Sequence, residues 1–224
     1  MPDREKLPFD LDEVLSRIRQ AVRDLRRPVL FALAADGYAS AFEQLVACII
    51  SIRTLEEVTE PAARALFARA RTPEEMIRLS SEDVDALISR STFHEAKAAQ
   101  ILAIAREAVD THGGVVPCDE AVLLSFRGVG PKCANLVLTI ACGEARIGVD
   151  THVHRVANRW GYVQARSPEA TLAALEARLP RGHWAELNRL LVPFGKYVCT
   201  PRSPRCSTCS VLAYCHQVGV TERR

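Results

Sequence analysis

The sequence predicts an all-α protein. Apolar residues recur at helical spacing through most of the 224 residues, and no useful length of chain shows the period-2 alternation of a strand. Capping residues such as Asp, Ser and Thr precede these segments, and the connections between them are short. With 48% hydrophobic and 25% charged residues, the composition is that of an ordinary globular chain. We therefore expect about ten short, packed helices.

Several segments carry clear helix signals. A first helix is predicted over residues 10–25, with capping-box spacing between Asp10 and Glu13. A strongly apolar helix follows over residues 40–52, and Pro61 is expected to kink the next helix or to mark a restart within it. The remaining helices are predicted to begin at Thr72 and Ser81 and to cover residues 94–111, 119–126, 151–160, 167–179 and 182–198.

Bulk properties limit the class of protein only loosely. The net charge of +2 is too small to indicate a nucleic-acid partner by itself, because phosphate binding depends on where the charge lies. No apolar run approaches the ~20 residues of a membrane span, and the N-terminus lacks the apolar core of a secretory signal. We expect an intracellular protein without a membrane partner.

The eight cysteines fall into two groups. One group, in a Cys-x6-Cys-x2-Cys-x5-Cys pattern near the C-terminus, can enclose a zinc ion or an iron-sulfur cluster, and spacing alone does not choose between them. The other four lie singly in apolar or helical contexts, where we expect free thiols that behave as small hydrophobes. The first group is Cys199, Cys206, Cys209 and Cys215, and the second is Cys48, Cys118, Cys133 and Cys142.

The stretch FRGVGPKCANLVLTIACGEARIGVDTHVHR, residues 126–155, is the most informative part of the chain. Gly128, Val129 and Gly130 allow a tight hairpin between two helices, and Pro131 suits the first position of the second helix. Free amides and the helix dipole favour an anion at such a turn, for example a nucleic-acid phosphate. The alternative is a helix connection that binds nothing.

Lys132 and Asp150 are the candidate reactive residues of this stretch. Lys132 lies in the first turn of a helix, where the dipole and partial burial would lower its pKa and leave some nucleophilic neutral amine. The alternative is a surface lysine. Asp150 either only caps the helix that follows it or is also a carboxylate held near the lysine, able to stabilise a cation or to move a proton.

GVGPKCANLVL followed by VDTHVHRV resembles the helix-hairpin-helix and Gly/Pro-Asp signature of the endonuclease III family of DNA base-excision glycosylases. The similarity extends from about residue 10 to residue 217. It implies a two-lobed all-α fold. One lobe, residues 35–144, is a six-helix barrel that contains the helix-hairpin-helix at about residues 119–142, and the other joins residues 1–34 to 145–224 around a [4Fe-4S] cluster.

The resemblance also implies a mechanism. Lys132 is expected to attack C1′ of the damaged nucleotide's sugar and expel the base, which forms a Schiff base that leads to β-elimination, and Asp150 is expected to stabilise charge and move protons. The chain departs from the family at Phe126-Arg127, where a leucine-proline pair often stands. Arg127 either adds a phosphate contact or faces water.

Further DNA contacts follow from the same resemblance. In the cysteine loop, Lys196, Arg202 and Arg205 either face the DNA backbone or compensate the charge of the cluster, which we expect to be chiefly structural. The residues that fill the gap left by a flipped base correspond to Arg53 and to the Thr92-Phe93-His94 turn. Arg53 stands where a glutamine is common and is either a gap-filling residue or a plain surface arginine. Phe93 is either a wedge or a core aromatic residue. His152 is also expected to contact DNA.

The sequence thus predicts a bifunctional DNA glycosylase and AP lyase that excises oxidised pyrimidines such as thymine glycol. Its partner is expected to be double-stranded DNA with a damaged base or an abasic site, and the protein is expected to be a monomer in the bacterial cytoplasm, associated with the nucleoid. The alternatives are a monofunctional glycosylase for mismatched or deaminated pyrimidines and a lesion-binding protein without catalysis. Adenine-excising relatives lack the lysine at 132 and carry a glutamate in the position of Cys48.

Overall fold

The computed structural model describes residues 6–224, and all regular structure in that range is helical. Three short 3-10 helices accompany the α-helices, at Arg181–His183, Cys206–Thr208 and Leu212–Tyr214. The α-helices are α1 (Leu11–Val22), α2 (Val29–Ala35), α3 (Ala41–Ser51), α4 (Glu56–Phe67), α5 (Pro73–Met76), α6 (Ser81–Ile88), α7 (His94–His112), α8 (Glu120–Ser125), α9 (Pro131–Ile140), α10 (Thr151–Trp160), α11 (Pro168–Arg178) and α12 (Trp184–Tyr197).

The chain forms two compact units. The central unit is Val29–Arg146, and the terminal unit joins the residues up to Pro28 to Ile147–Arg224. The predicted lobes divided the chain at residues 34/35 and 144/145. The first division differs because helix α2, which the sequence analysis did not identify, packs against α3, α4 and α9 of the central unit. The prediction of an all-α, two-lobed fold with one lobe built from both chain ends is confirmed.

Helix α3 lies at the centre of the central unit. Ser40 and Glu43 form a capping box at its start, in which Ser40 N donates to Glu43 Oε2 at 3.0 Å and Glu43 N donates to Ser40 Oγ at 3.2 Å. The residues from Phe42 to Ile50 are all buried, and α3 packs against α2, α4, α7 and α9. An apolar helix covered on several sides is what its sequence predicts.

Helix α7 is the longest helix and has one buried stripe, from Lys97 through Ile101 and Ile104 to Ala108. It begins after Phe93, which is itself in the left-handed region, and ends at Gly113 with φ 63°. The stripe is apolar except for its first residue, Lys97.

Three details of the helices differ from the expectations. Helix α1 ends at Val22 instead of continuing to residue 25. Pro61 lies inside α4 without interrupting it. Helix α6 begins at Ser81 as predicted, but the residue that caps it is Ser80 and not Ser81, because the Ser80 side chain accepts a hydrogen bond from Asp83 N.

The four scattered cysteines are not free thiols, so that expectation was wrong. Cys48 of α3 is paired with Cys133 of α9, and Cys118, just before α8, is paired with Cys142, just after α9. The partners are 85 and 24 residues apart in the sequence, and only the fold brings them together. As a result, α9 is cross-linked near its beginning and just beyond its end.

In the terminal unit, α1 and α10 both pack against α12, and α10 also packs against α11. Asp10 caps α1, accepting a hydrogen bond from Glu13 N at 3.0 Å. The core of this unit includes Leu15, Ile18, Trp160 and Phe194. No helix among residues 6–224 is both long enough and apolar enough to cross a membrane.

Candidate functional site

The hairpin between α8 and α9 is narrow and largely exposed. Gly128 has φ 80°, a left-handed conformation, whereas Gly130 has φ −106° and caps α9, so only the first glycine uses a positive φ. Val129 N donates to Phe126 O at 3.0 Å, and Gln100 Nε2 of α7 donates to Arg127 O at 2.7 Å. The hairpin is therefore held both by its own backbone and by a neighbouring helix.

The predicted DNA contacts of the hairpin are accessible except for one side chain. Arg127, Gly128 and Gly130 are exposed, but Val129 is only 7% exposed and its side chain belongs to the core of the central unit. Any contact that Val129 makes with a phosphate must therefore use its backbone. The turn at the start of α9 retains the features of an anion site.

Lys132 is the second residue of α9 and lies at the boundary between surface and core. Pro131 before it is exposed, Lys132 is half-buried, and the residues from Cys133 to Leu138 are all buried. Cys133 is also bonded to Cys48 of α3. The backbone that carries the Lys132 amine is thus fixed by packing and by a covalent bond.

Asp150 caps α10, as one of the two interpretations of the sequence predicted. Its Oδ1 accepts hydrogen bonds from His152 N at 3.0 Å and from Val153 N at 2.8 Å. These bonds fix the orientation of the carboxylate. Lys132 belongs to the central unit and Asp150 to the terminal unit.

Helix α10 also supports the cysteine loop through two arginines. Arg155 Nη2 donates to Gly195 O at 2.8 Å and its Nε donates to Cys199 O at 3.2 Å, and burial lowers the pKa of Arg155. Arg159, 9% exposed, donates from Nη1 to Thr200 O and from Nη2 to Pro201 O, both at 2.6 Å. The helix capped by Asp150 therefore holds the backbone on both sides of the first cysteine of the loop.

His152 is half-buried where α10 and α12 approach closely. Its Nδ1 lies 3.1 Å from Arg155 Nη2. A Cβ added to Gly195 would lie 2.8 Å from His152 Nδ1. A glycine at position 195 is therefore needed for this close approach. The contact between His152 and DNA stays a prediction.

The four clustered cysteines line one cavity together with Arg159, Trp160 and Phe194. Across residues 6–224, no three His, Cys, Asp or Glu side chains are arranged to hold a single metal ion. A zinc ion requires four sulfurs at about 2.3 Å from one point. The four cysteines around this one cavity can supply four sulfur donors to a single bound group. The donor set of four thiolates is that of an iron-sulfur cluster.

Ligand binding at this cavity requires deprotonation. Burial raises the pKa of Cys209 and of Cys215 to about 11, so these thiols are protonated at neutral pH when no metal is bound. Because a cysteine coordinates iron as a thiolate and not as a thiol, cluster insertion must release protons. The carbonyl-bound cations Arg155 and Arg159 lie beside the cavity and complement the negative charge of a thiolate-bound cluster.

The cations of the cysteine loop differ in accessibility. Arg202 and Arg205 are exposed, whereas Lys196 is half-buried and its Nζ lies 5.5 Å from the centre of the Tyr197 ring. Ser203, between the two arginines, is in the left-handed region at φ 41°.

The structure brings together two of the residues predicted to fill a gap in DNA. Arg53, exposed in the α3–α4 loop, has its Cζ 6.0 Å from the centre of the Phe93 ring. Phe93 is 60% exposed, so the alternative of a core aromatic residue is wrong. His94 is half-buried, and its Nδ1 lies 2.5 Å from Asp85 Oδ1.

Several residues that hold these sites were missed by sequence reasoning. Gln100, Arg155 and Arg159 bind loop carbonyls that are distant in the sequence, and no local pattern indicates such contacts. For Lys97 the sequence does contain a signal, because a lysine occupies the first position of an otherwise apolar helical stripe.

Comparison with known proteins agrees with this geometry. Residues 46–181 match the HhH-GPD superfamily of base excision DNA repair proteins, and residues 199–215 match the iron-sulfur binding domain of endonuclease III. Endonuclease III of Thermotoga maritima is 40% identical over 78% of this chain and 82% of that protein. The endonuclease III-like protein 1 of Bos taurus is 38% identical over 83% of this chain and 62% of that protein.

A solved structure of similar fold is a trapped covalent intermediate of endonuclease III with DNA. It has a TM-score of 0.81 and 27% identity and covers 92% of this chain and 94% of that one. The fold and the hairpin thus define a helix-hairpin-helix protein of base-excision DNA repair. Within that superfamily, the chain belongs to the endonuclease III family.

Family membership confirms the function predicted from the sequence. The protein is a DNA-binding base-excision glycosylase with AP lyase activity, of the class that acts on oxidised pyrimidines, and its cofactor is a [4Fe-4S] cluster. Cys199, Cys206, Cys209 and Cys215 are the four cysteines of the matched iron-sulfur segment, and all four line the cavity.

Proposed function

We propose that Lys132 is the nucleophile of this enzyme and that Asp150 assists it. The observation that carries this proposal is the placement of Lys132 at the partly exposed beginning of α9, directly before a buried segment, from Cys133 to Leu138, that is cross-linked to α3. A nucleophile held on rigid backbone loses little entropy when it reaches the reacting carbon. Asp150 has its carboxylate oriented by two backbone N–H groups, which suits a group that stabilises positive charge and moves protons.

The proposed reaction begins with the neutral amine of Lys132. Its nitrogen attacks C1′ of the sugar, the bond between C1′ and the base breaks, and the base leaves with the bonding electrons and acquires a proton. Loss of a proton from the nitrogen and opening of the sugar ring give a Schiff base, from which β-elimination cleaves the strand. Asp150 stabilises the developing positive charge and transfers the protons.

The proposed substrate is double-stranded DNA that contains an oxidised pyrimidine, such as thymine glycol, or an abasic site. The backbone amides of Gly128, Val129 and Gly130 would bind a phosphate at the positive end of α9, with Arg127 alongside. Because phosphate contacts position the DNA without reading its sequence, they suit an enzyme that must bind at any lesion. The other proposed DNA contacts are His152, Lys196, Arg202, Arg205, Arg53, Phe93 and His94.

The two units would have different roles. The hairpin at about residues 119–142 would hold the DNA backbone beside Lys132, and the cysteine residues would hold the cluster, which orders the loop that carries Arg202 and Arg205. We propose that the protein acts as a monomer, because phosphate binding and the nucleophile need residues of one chain only. Its DNA substrate is consistent with action in the bacterial cytoplasm, on the nucleoid.

Borohydride trapping tests the proposed nucleophile. Incubation of the cluster-loaded protein with a duplex containing thymine glycol, in the presence of borohydride, should give a covalent protein–DNA adduct. Lys132→Ala should abolish the adduct, whereas Lys196→Ala, the matched lysine control, should still form it at saturating DNA. A wild-type protein that releases the base without forming an adduct would instead be a monofunctional glycosylase. Intact lesion DNA, bound selectively, would identify a binding protein.

A further inference from the structure

All four carbonyls at the C-terminal end of α3 accept hydrogen bonds. A helix leaves its last four carbonyls without partners in the helix. Here Cys48 O accepts from Ser51 Oγ, Ile49 O from Ile52 N, and Ser51 O from Thr54 N. The remaining carbonyl, Ile50 O, accepts from the Nζ of Lys97, which comes from α7.

The ammonium group of Lys97 donates three hydrogen bonds at this helix end. The residue is 4% exposed, and its Nζ donates to Ile50 O at 2.8 Å, to Ile52 O at 2.8 Å and to Thr54 Oγ1 at 3.0 Å. An ammonium has three N–H donors, so all three are used. The negative end of the α3 dipole also favours a cation here. Burial lowers the pKa of Lys97 to about 8, which leaves the amine mostly protonated at neutral pH.

The Thr54 hydroxyl connects this helix end to a second loop. It donates to Ile52 O at 3.3 Å and accepts from Lys97 Nζ and, at 3.1 Å, from Thr92 N. A hydroxyl offers one donor and two acceptor positions, so its capacity is filled. Because Thr92 directly precedes Phe93, the same hydrogen-bond network holds the α3–α4 loop and the turn before α7.

Each of these two loops carries one strained residue. Arg53 has φ 53° and Phe93 has φ 59°, and among residues 6–224 only Ser203 and Gln217 are other non-glycine residues with positive φ. The left-handed region is unfavourable for a residue that bears a side chain, so the surroundings must hold it there. Both strained residues are exposed, and Arg53 Cζ lies 6.0 Å from the Phe93 ring centre, within cation–π range.

We propose that Lys97 and Thr54 are positioning residues that hold Arg53 and Phe93 as one preorganised pair for filling the space left by a flipped base. This inference rests on the proposed function, in which Arg53 and Phe93 contact the DNA, and on their expected place as the residues that fill the gap. Lys97 and Thr54 do not touch the DNA themselves. Their effect is to remove the entropy cost of bringing a cation and an aromatic ring, on two separate loops, into the duplex together.

A purely stabilising role does not account for the arrangement as well. A network that served stability alone would bury the aromatic ring, yet Phe93 remains 60% exposed. It would also gain nothing from left-handed backbone at Arg53 and Phe93. The network instead maintains two exposed side chains beside each other at a local energetic cost.

The test compares duplex DNA with single-stranded DNA, which has no opposite base and no gap to fill. Thr54→Val removes the hydroxyl at nearly constant volume, and Thr54→Ser keeps the hydroxyl. Lys97→Met removes the ammonium. Met76→Ala, a cavity variant in the core of the same unit, is the control for lost stability, since Met76 is fully buried in α5. All variants are used with the cluster loaded.

The expected result is a selective loss on duplex DNA. Thr54→Val and Lys97→Met should lower the rate of borohydride trapping on an abasic duplex by about ten-fold or more, while trapping on a single-stranded abasic oligonucleotide changes by less than about two-fold. Thr54→Ser should restore most of the duplex rate. Met76→Ala should affect both substrates equally. Equal loss on both substrates by Thr54→Val would overturn the proposal, as would an unchanged duplex rate.

A binding measurement separates this inference from the proposed function. A duplex with a tetrahydrofuran abasic analogue opposite 2-aminopurine cannot react, and displacement of the opposite base raises its fluorescence. At saturating protein, wild type and Met76→Ala should raise the 2-aminopurine fluorescence fully. Thr54→Val and Lys97→Met should raise it less. If wild type traps on neither abasic substrate, the proposed function fails, and this fluorescence still decides the inference. Equal fluorescence for all variants would count against it.

Discussion

The hairpin of the central unit and the cysteine loop of the terminal unit are held in different ways. The hairpin lies between two helices and is closed by backbone hydrogen bonds, by Gln100 and by the bond between Cys118 and Cys142. The cysteine loop, from Cys199 to Cys215, has two 3-10 turns as its regular structure, and the half-buried Arg155 and the buried Arg159 bind its carbonyls. The hairpin is therefore held by its own backbone, by one side chain of α7 and by a covalent bond, whereas the loop depends on arginine side chains of α10 and on its cofactor.

Loss of one cluster ligand should show this difference most strongly. We expect Cys209→Ser to prevent stable cluster binding, to make the segment from Cys199 to Cys215 sensitive to protease and to lower the thermal midpoint by about 10 °C, since the loop has little structure of its own. Iron content and limited proteolysis measure the effect. Cys118→Ser, the same substitution at the hairpin, should retain full iron content. Protection of the loop in Cys209→Ser would contradict the comparison.

Reduction of the hairpin bond is expected to have the next largest effect. Closing a segment whose ends are 24 residues apart stabilises the folded state by about 3 kcal/mol in the chain-entropy account. Cys118 is exposed, so a mild thiol should reduce this bond before the buried Cys48–Cys133 pair. Hydrogen exchange of α8 and α9 should accelerate in wild type and should not respond to the thiol in Cys118→Ser.

Arg159→Met tests the arginine support of the cysteine loop. The change removes the charged donor of Thr200 O and Pro201 O, and a hydrogen bond to a charged group contributes about 1.5–3 kcal/mol. Loss of cluster absorbance to a chelator should accelerate by about ten-fold or more. The exposed neighbour Arg202→Met serves as the control and should keep the wild-type rate. Equal rates for both variants would show that Arg159 does not hold the loop.

Within the central unit, the lowered pKa of Lys97 predicts that the free energy of unfolding depends on pH. Its pKa is about 8 in the folded protein and 10.5 ordinarily, so the unfolded chain binds more protons between these values. The contribution of Lys97 to the free energy of unfolding must therefore rise with pH in that window. Relative to Lys97→Met, wild type should gain about 2 kcal/mol between about pH 7.5 and 9.5. Urea unfolding of both proteins at the two pH values measures the gain, and a constant difference would contradict it.

The two hairpin glycines provide the smallest and most local test. Gly128→Ala places a Cβ 2.8 Å from Gln100 Nε2 on left-handed backbone, whereas a Cβ at Gly130 meets nothing within 4 Å. We expect Gly128→Ala to lower the free energy of unfolding by about 1–2 kcal/mol. Gly130→Ala should lower it by less than about 1 kcal/mol, because the only loss is the preference for Gly over Ala at a helix N-cap. Equal losses would show that both positions need glycine.

Much of the candidate site could be predicted because its signals are local. The hairpin, the Asp150 cap and the four-cysteine loop each depend on residues close together in the chain, and the structure and comparisons agree with them. Helix α2 was missed because its seven residues, VLFALAA, have no polar face to reveal a helical period and no proposed cap. The roles of Lys132 and Asp150 still depend on the trapping experiment.

The sequence by itself determined the helical class, the hairpin with its lysine, the cysteine loop and the family. These follow from spacing within one or two helical turns and from side-chain chemistry. Only the tertiary structure decided that four cysteines pair, that Arg159 holds the cysteine loop, and that Lys97 joins the loops of Arg53 and Phe93. The reason is physical: each of these contacts joins residues far apart in the chain, and a buried donor or thiol is recognised by its partner in space.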